Sequence, residues 1–227
     1  MLAENLKAVR KEIGAALERA GRGPEKVCLV AVTKTVDAER IGEAAALGLK
    51  DFGENRLQEA LPKLKLFPRL RWHFIGHLQT NKAGEALTGF ELIHSLDRFR
   101  LARRLQHQAE RFDTEARCLV QVNISGEKSK HGLAAGELPD FLEAVSDLSR
   151  VRVEGLMTMA PWSDDPEEAR PVFRRLKELQ KACSRPGLAL KQLSMGMSGD
   201  YIVAVEEGAT MVRVGSSLFG PRLPQRG

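Results

Sequence analysis

Short runs of β-favouring apolar residues alternate with stretches of helical periodicity along almost the whole chain. The strand-like runs fall at 27–32, 51–56 (a short strand end turning into a helix), 71–75, 90–93, 116–124, 151–157, 190–193 and 210–214. Helical patterns follow at 38–47, 57–64, 82–87, 97–110, 138–148, 167–183 and 201–207, with Asp97 a plausible cap for the fourth. Alternation of this kind implies a parallel sheet, because each strand must return to the same end before the next begins. About eight such units, with no composition break or linker, fit a single (β/α)8 barrel over residues 1–227. A doubly wound open sheet is the runner-up; it calls for a glycine-rich turn after the first strand, and none is present. A further amphipathic helix, 2–19, precedes the first strand, with Leu6, Val9, Ile13 and Leu17 at helical spacing. It is expected to plug or flank the bottom of the barrel.

The first strand carries the chemistry-bearing residue. Val27 to Val32 is nearly all apolar, as suits a strand buried on both faces. It runs into Thr33-Lys34-Thr35. A lysine at the C-terminal tip of a buried barrel strand stands where such folds place their sites. Desolvation disfavours its charged form, so its amine can act as a nucleophile toward a carbonyl. The plainer alternative is a lysine snorkelling out of a strand end.

In a barrel the strand ends share one face, which would gather Lys34, Asn55, His77, Ser95, Asn123, Met157, Ser194 to Ser198, and Arg213 to Ser216. The last two groups lie on the final two strands, where barrels commonly bind phosphate through loop N–H groups. A reactive lysine opposite a phosphate cradle is what an aldehyde-bearing phosphate cofactor needs, and pyridoxal 5'-phosphate (PLP) is the obvious one. Period-two alternation points Arg213 to the same face as Gly215. A cation facing the cofactor's ring nitrogen would keep that nitrogen unprotonated. The alternative for Arg213 is an ion pair with Glu206 or Glu207.

Composition sets limits on other functions. The net charge is +5, but basic residues are scattered among acids, and aromatics make up only 5%. That argues against a nucleic-acid partner. No CxxC or HExxH spacing marks a metal site. The N-terminus has neither a signal-peptide pattern nor a membrane span. Cys28, Cys118 and Cys183 are odd in number and far apart; the first two sit in apolar runs, as expected of buried thiols in a cytoplasmic protein. His73 and His94 are expected in the core or at a sheet edge, and His131 in a solvated loop. His77 could contact a ligand or serve its loop. The basic run 98–111 is most simply a solvated helix face.

The motifs AVTKT, FGENR, WHFIGHLQTNK, VNIS-x-x-x-SKHG, GLMTMAP, LSMGMSGDY and GATMVRVGSSLFG occur in that order from Val27 to Gly220. Together they resemble the pyridoxal-phosphate homeostasis proteins, also called the proline synthetase co-transcribed family. The resemblance implies a single-domain barrel similar to the N-terminal domain of alanine racemase, with Lys34 holding PLP as a Schiff base. It also implies Ser198, Gly215 and Ser216 at the phosphate and Arg213 facing the pyridine nitrogen. Asn55, His77 and Met157 are implied as further contacts. No catalytic or metal-binding residue is implied. Where many members have Thr-Lys-Pro after the reactive lysine, this chain has Thr35-Val36-Asp37, so a second lysine is missing there. Lys130 matches a lysine of the family loop.

Two functions compete most closely. One is a cytoplasmic, monomeric, non-catalytic carrier that buffers PLP and passes it transiently to apo-enzymes. The other is a PLP-dependent amino-acid racemase, which needs a second base opposite the lysine. The only tyrosine, Tyr201, lies at a helix start beside the expected phosphate loop, and no second domain follows the last strand. The carrier is therefore the expected function. A cofactor-free Schiff-base aldolase is the third reading, and it predicts a colourless protein.

Overall fold

The computed structural model describes residues 1–127 and 130–221. Ser129 of the SKHG motif and the basic tail 222–227 therefore lie outside the described residues. Eight parallel strands close into a barrel: β1 (Cys28–Val32), β2 (Asp51–Glu54), β3 (Arg71–Phe74), β4 (Leu92–Leu96), β5 (Ala116–Asn123), β7 (Val151–Met157), β8 (Gln192–Ser194) and β9 (Met211–Val214). The order β4-β3-β2-β1-β9-β8-β7-β5 is joined end to end by pairing of β4 with β5. A two-residue strand, β6 (Leu133–Ala134), adds to β5 after the 124–132 loop and was not predicted. Two residues carry too little pattern to register as a strand in sequence.

Helices cover the outside of the barrel: α2 (Ala38–Ala46), α3 (Leu57–Leu66), α4 (Ala83–Leu87), α5 (Phe99–Arg111), α6 (Leu138–Ser146), α7 (Arg170–Cys183), α8 (Tyr201–Glu206) and α9 (Ser216–Phe219). Phe52, Trp72, Phe74 and Ile93 belong to the large shell between strands and helices. Leu92, Leu119, Met157 and Met211 form a separate small cluster. Along β4, Leu92 and Ile93 fall in different clusters, as side-chain alternation requires.

Helix α1 (Leu2–Arg19) buries Leu6, Val9, Ile13 and Leu17, the four residues its periodicity singles out, together with Leu2 and Ala16. It flanks the barrel and does not plug it. Its neighbours are α8 and α9, where Asn5 Nδ2 donates to the Leu218 carbonyl at 2.9 Å and the Tyr201 hydroxyl donates to Glu12. Three further expectations are corrected. β4 spans Leu92–Leu96, not 90–93, so His94 and Ser95 lie inside the strand. Asp97 does not cap α5; Arg98 is the N-cap residue, without a side-chain cap bond, and Asp97 instead pairs with Arg98 and His77. Cys28 is half-buried rather than buried, because it sits at the start of β1 by the open N-terminal rim.

Candidate functional site

The turn after β1 is tightly determined. Val36 N–H donates to the Thr33 carbonyl at 2.9 Å, and Thr35 takes the left-handed conformation, φ +66°. A β-branched residue is a genuine outlier there, and such strain is tolerated only where the surroundings over-determine it. The surroundings are visible. Lys63 of α3 donates to the Thr33 carbonyl and to Glu54 Oε1, both at 2.7 Å, and the Thr33 hydroxyl donates to the same carboxylate oxygen at 2.6 Å. Glu54 is fully buried. A buried ion pair thus clamps the backbone immediately before Lys34, which is half-buried on the rim.

The neighbouring edge is built by β8 and β9. Because β9 pairs directly with β1, with Val214 opposite Ala31, the segment after β9 lies beside the approach to Lys34. Ser198 Oγ accepts from the backbone N–H of Gly215 at 3.1 Å and of Ser217 at 3.3 Å, and the Ser217 hydroxyl donates to the Ser198 carbonyl at 3.3 Å. Two main-chain donors therefore converge on one hydroxyl, an arrangement suited to an anion. Gly196 lets the β8 loop close up: its φ is +91°, and a Cβ there would come within 2.5 Å of Ala204 Cβ. Its carbonyl accepts the Arg213 N–H at 3.0 Å, which ties the two segments together. Ser216 is exposed at the start of α9.

Arg213 is 3% exposed, and its guanidinium donates to Ser194 Oγ at 2.6 Å and to the Thr158 carbonyl at 2.9 Å. Burial, partly offset by the negative charge of Asp200, lowers its pKa to about 10. The alternative pairing with Glu206 or Glu207 does not occur. Those acids bind Arg19, Arg170 and Arg174 on the outer surface.

Asn55 follows β2, half-buried, and its Oδ1 is a buried acceptor without a hydrogen-bond partner; the Ser95 hydroxyl on β4 is another such atom. Buried polar atoms left unpaired are uncommon and call for a partner. Gly76 crosses so close behind Asn55 that a Cβ there would lie 2.1 Å from the Asn55 carbonyl oxygen. Met157 is fully buried in the apolar cluster with Leu92, Leu119 and Met211. Asn123 structures the loop after β5, accepting from Gly126 N–H at 3.0 Å and donating to the Glu127 carbonyl at 2.9 Å. Lys130 on that loop is ion-paired with Glu127 at 3.0 Å.

His77 Nδ1 lies 3.3 Å from Asp97 Oδ2, and its ring stacks on His131 at 4.0 Å and 18°. Burial and the nearby charges of His131 and Arg98 lower its pKa against the pull of Asp97. Among the described residues these three form the one group whose possible metal-ligand atoms lie within 4.8 Å of one another. The two rings lie face to face, and Arg98 already neutralises Asp97. The cluster is read as an ion pair with a stacked cover.

The site also contains residues that sequence reasoning missed. His73 and His94 are both buried, as expected of core histidines, but they are not isolated. His73 Nδ1 meets His94 Nε2 at 3.0 Å, His94 Nδ1 meets Ser194 Oγ at 2.9 Å, and His73 Nε2 meets Asp51 Oδ1 at 3.1 Å. Ending β4 at Ile93, three residues short of Leu96, left His94 beyond the strand and hid its inward register.

The fold defines the class of barrel: the chain matches the family described as alanine racemase, N-terminal domain, over residues 5–223. An alanine racemase of Clostridium difficile 630 superposes with a TM-score of 0.74 at 16% identity, covering 98% of this chain and 58% of that one, a likeness of fold. Within that class the chain belongs to the pyridoxal phosphate homeostasis protein family. It is 46% identical over 222 residues to the pyridoxal phosphate homeostasis protein of Aquifex aeolicus, covering 96% of this chain and 97% of the relative. It is 38% identical to that of Escherichia coli K12 over 226 residues, covering 97% of each. PipY of Synechococcus elongatus PCC7942, solved with PLP bound, superposes with a TM-score of 0.84 at 37% identity, covering 97% of this chain and all of that one. Among the described residues no helix is long and apolar enough to cross a membrane.

Proposed function

We propose that this protein holds PLP covalently on Lys34, buffers it, and releases it to enzymes that need it, without turning over amino acids. The observation that carries this reading is the pair of N–H groups, Gly215 and Ser217, converging on Ser198 beside the strand that leads to Lys34. PLP supplies an aldehyde that a lysine amine can capture with loss of water, and a phosphate that backbone donors can hold. Lys34, Ser198, Gly215 and Ser216 take those roles, and Arg213 faces the ring nitrogen. Asn55 Oδ1, buried and unpaired, fits a polar ring substituent; His77 and Met157 are assigned to the surrounding wall. The homeostasis relatives and the PLP-bound PipY support the assignment.

Two features support the reading without turnover. An arginine against the ring nitrogen disfavours a protonated pyridinium and so weakens the ring as an electron sink. The Tyr201 hydroxyl is engaged by Glu12 on the α1 side and is not presented as a second base. The carrier is proposed to work as a cytoplasmic monomer meeting its recipients transiently.

The test combines two measurements on PLP-loaded protein. Borohydride reduction followed by peptide mapping should place the label on Lys34. Incubation with single amino acids in heavy water should show no α-proton exchange, while an added apo-enzyme becomes active. Steady exchange abolished by Lys34→Ala would establish the racemase reading instead.

A further inference from the structure

The barrel interior departs from the usual filling of bulky branched side chains. A continuous hydrogen-bonded chain crosses it: Arg213 to Ser194 at 2.6 Å, Ser194 to His94 at 2.9 Å, His94 to His73 at 3.0 Å, and His73 to Asp51 at 3.1 Å. Arg213, Ser194, His94 and His73 are 3%, 0%, 0% and 4% exposed. The chain passes from β9 and β8 across to β4, β3 and β2. Asp51 and His73 line a cavity of about 700 Å³ at the N-terminal rim, opposite the rim that carries Lys34. Arg71 holds Asp51 from outside, its Nε donating at 2.8 Å.

Hydrogen-bond chemistry gives this chain a direction. A guanidinium only donates and a carboxylate only accepts, so both ends are polarised the same way. Arg213 fills one lone pair of Ser194 Oγ. If the serine hydrogen points to His94 Nδ1, then His94 Nε2–H donates to His73 Nδ1 and His73 Nε2–H donates to Asp51. Every member then donates once in the same sense and no ring needs a second proton. Burial, together with the positive charge of Arg213, holds the pKa of His94 well below its ordinary value, in keeping with a neutral ring. Aligned chains of this kind strengthen one another in a low-dielectric interior.

We infer that Ser194, His94 and His73 are positioning residues that hold Arg213 in place against the cofactor ring, anchored by Asp51 at the opposite rim. This rests on the PLP reading above. The direct partners of Arg213, a hydroxyl and a carbonyl, are both neutral, and a guanidinium with no carboxylate on it can move unless its acceptors are themselves held. The serine hydroxyl is held by His94, and His94 by His73. The far carboxylate draws the whole chain toward itself. The ring-nitrogen contact is therefore set by groups that do not touch the cofactor.

The experiment has two arms. In cofactor-free protein, long-range proton–nitrogen correlation of the histidine rings should show His94 with Nδ1 bare and Nε2 protonated, and His73 the same. A proton on His94 Nδ1 overturns the relay, and this measurement stands even if the PLP assignment fails. In the second arm, wild type, His94→Leu and His94→Gln are loaded with PLP labelled with nitrogen-15 in the ring. His94→Leu should shift the ring-nitrogen resonance and speed PLP dissociation by roughly tenfold or more, as expected for weakening a bond made by a charged group. His94→Gln retains an acceptor and a donor and should restore most of both. Should His94→Leu fail to fold, Ser194→Ala cuts the chain at its first link and should show the same two changes. A wild-type resonance and dissociation rate in the severed variant, with Lys34 still labelled by borohydride, overturns the inference. Failure to label Lys34 in wild type overturns the PLP reading and leaves the relay to the first arm.

Discussion

At the scale of single residues, the informative contrast is between Ser198 and its neighbours. Its hydroxyl already gathers two backbone N–H groups, so removing it costs something even without ligand. Ser198→Ala should weaken PLP binding by ~1.5–3 kcal/mol, the range for a hydrogen bond to a charged group, while pyridoxal, which lacks the phosphate, should bind weakly to both proteins and barely notice the change. Equal losses for the two ligands, measured by fluorescence titration, would mark the serine as a purely structural cap. Lys34, Ser198, Gly215 and Arg213 were legible as positions, because each lies in or shortly after a strand that is unmistakable in sequence. His94 was not. Its place in the barrel depends on which way a strand residue points, and ending the strand at Ile93 instead of Leu96 removed it from the strand.

At the scale of elements, β1, β2 and α3 form one unit around a buried charge pair. Glu54 is fully buried, and Lys63 bonds both to it and to the Thr33 carbonyl. Lys63→Met strands that carboxylate and should destabilise the protein by roughly 3 kcal/mol, the cost of breaking a buried pair from one side. Adding Glu54→Gln should recover part of the loss, as a double-mutant cycle in urea would show. If the two single losses simply add, the pair is not coupled and the clamp on the Thr33–Val36 turn is illusory. The element pattern itself was readable, since each strand is an apolar run and each helix has its stop. The Lys63 clamp was not readable, because a lysine on an amphipathic helix looks the same in sequence whether its tip reaches water or a buried carboxylate.

At the scale of the whole molecule, polar groups link the two rims of the barrel. Burial alone would raise the Asp51 carboxyl, but hydrogen bonds from His73 and Arg71, and the charge of Arg71, outweigh it and hold its pKa at about 2, against an ordinary 3.8. A carboxyl depressed in the folded state stabilises above its unfolded pKa, and that contribution is lost as pH falls through the folded value. Wild type should thus lose on the order of 1 kcal/mol relative to Asp51→Asn between about pH 5 and pH 2, after allowance for solvent screening. Urea unfolding at several pH values checks this, and a pH-independent gap would show that the carboxylate is not held by the barrel. The closed barrel follows from local facts, because apolar strands alternating with amphipathic helices leave a parallel sheet few other ways to bury both faces. The helix pattern of α1 was equally local, yet its seat against α8 and α9 depends on which surface the closed barrel leaves uncovered. The polar chain from Arg213 to Asp51 is of the same kind. Its members come from five strands and up to 162 positions apart, between Asp51 and Arg213. Only closure of the sheet brings them within hydrogen-bond distance, and hydrogen bonds of 3 Å leave no trace in residue order.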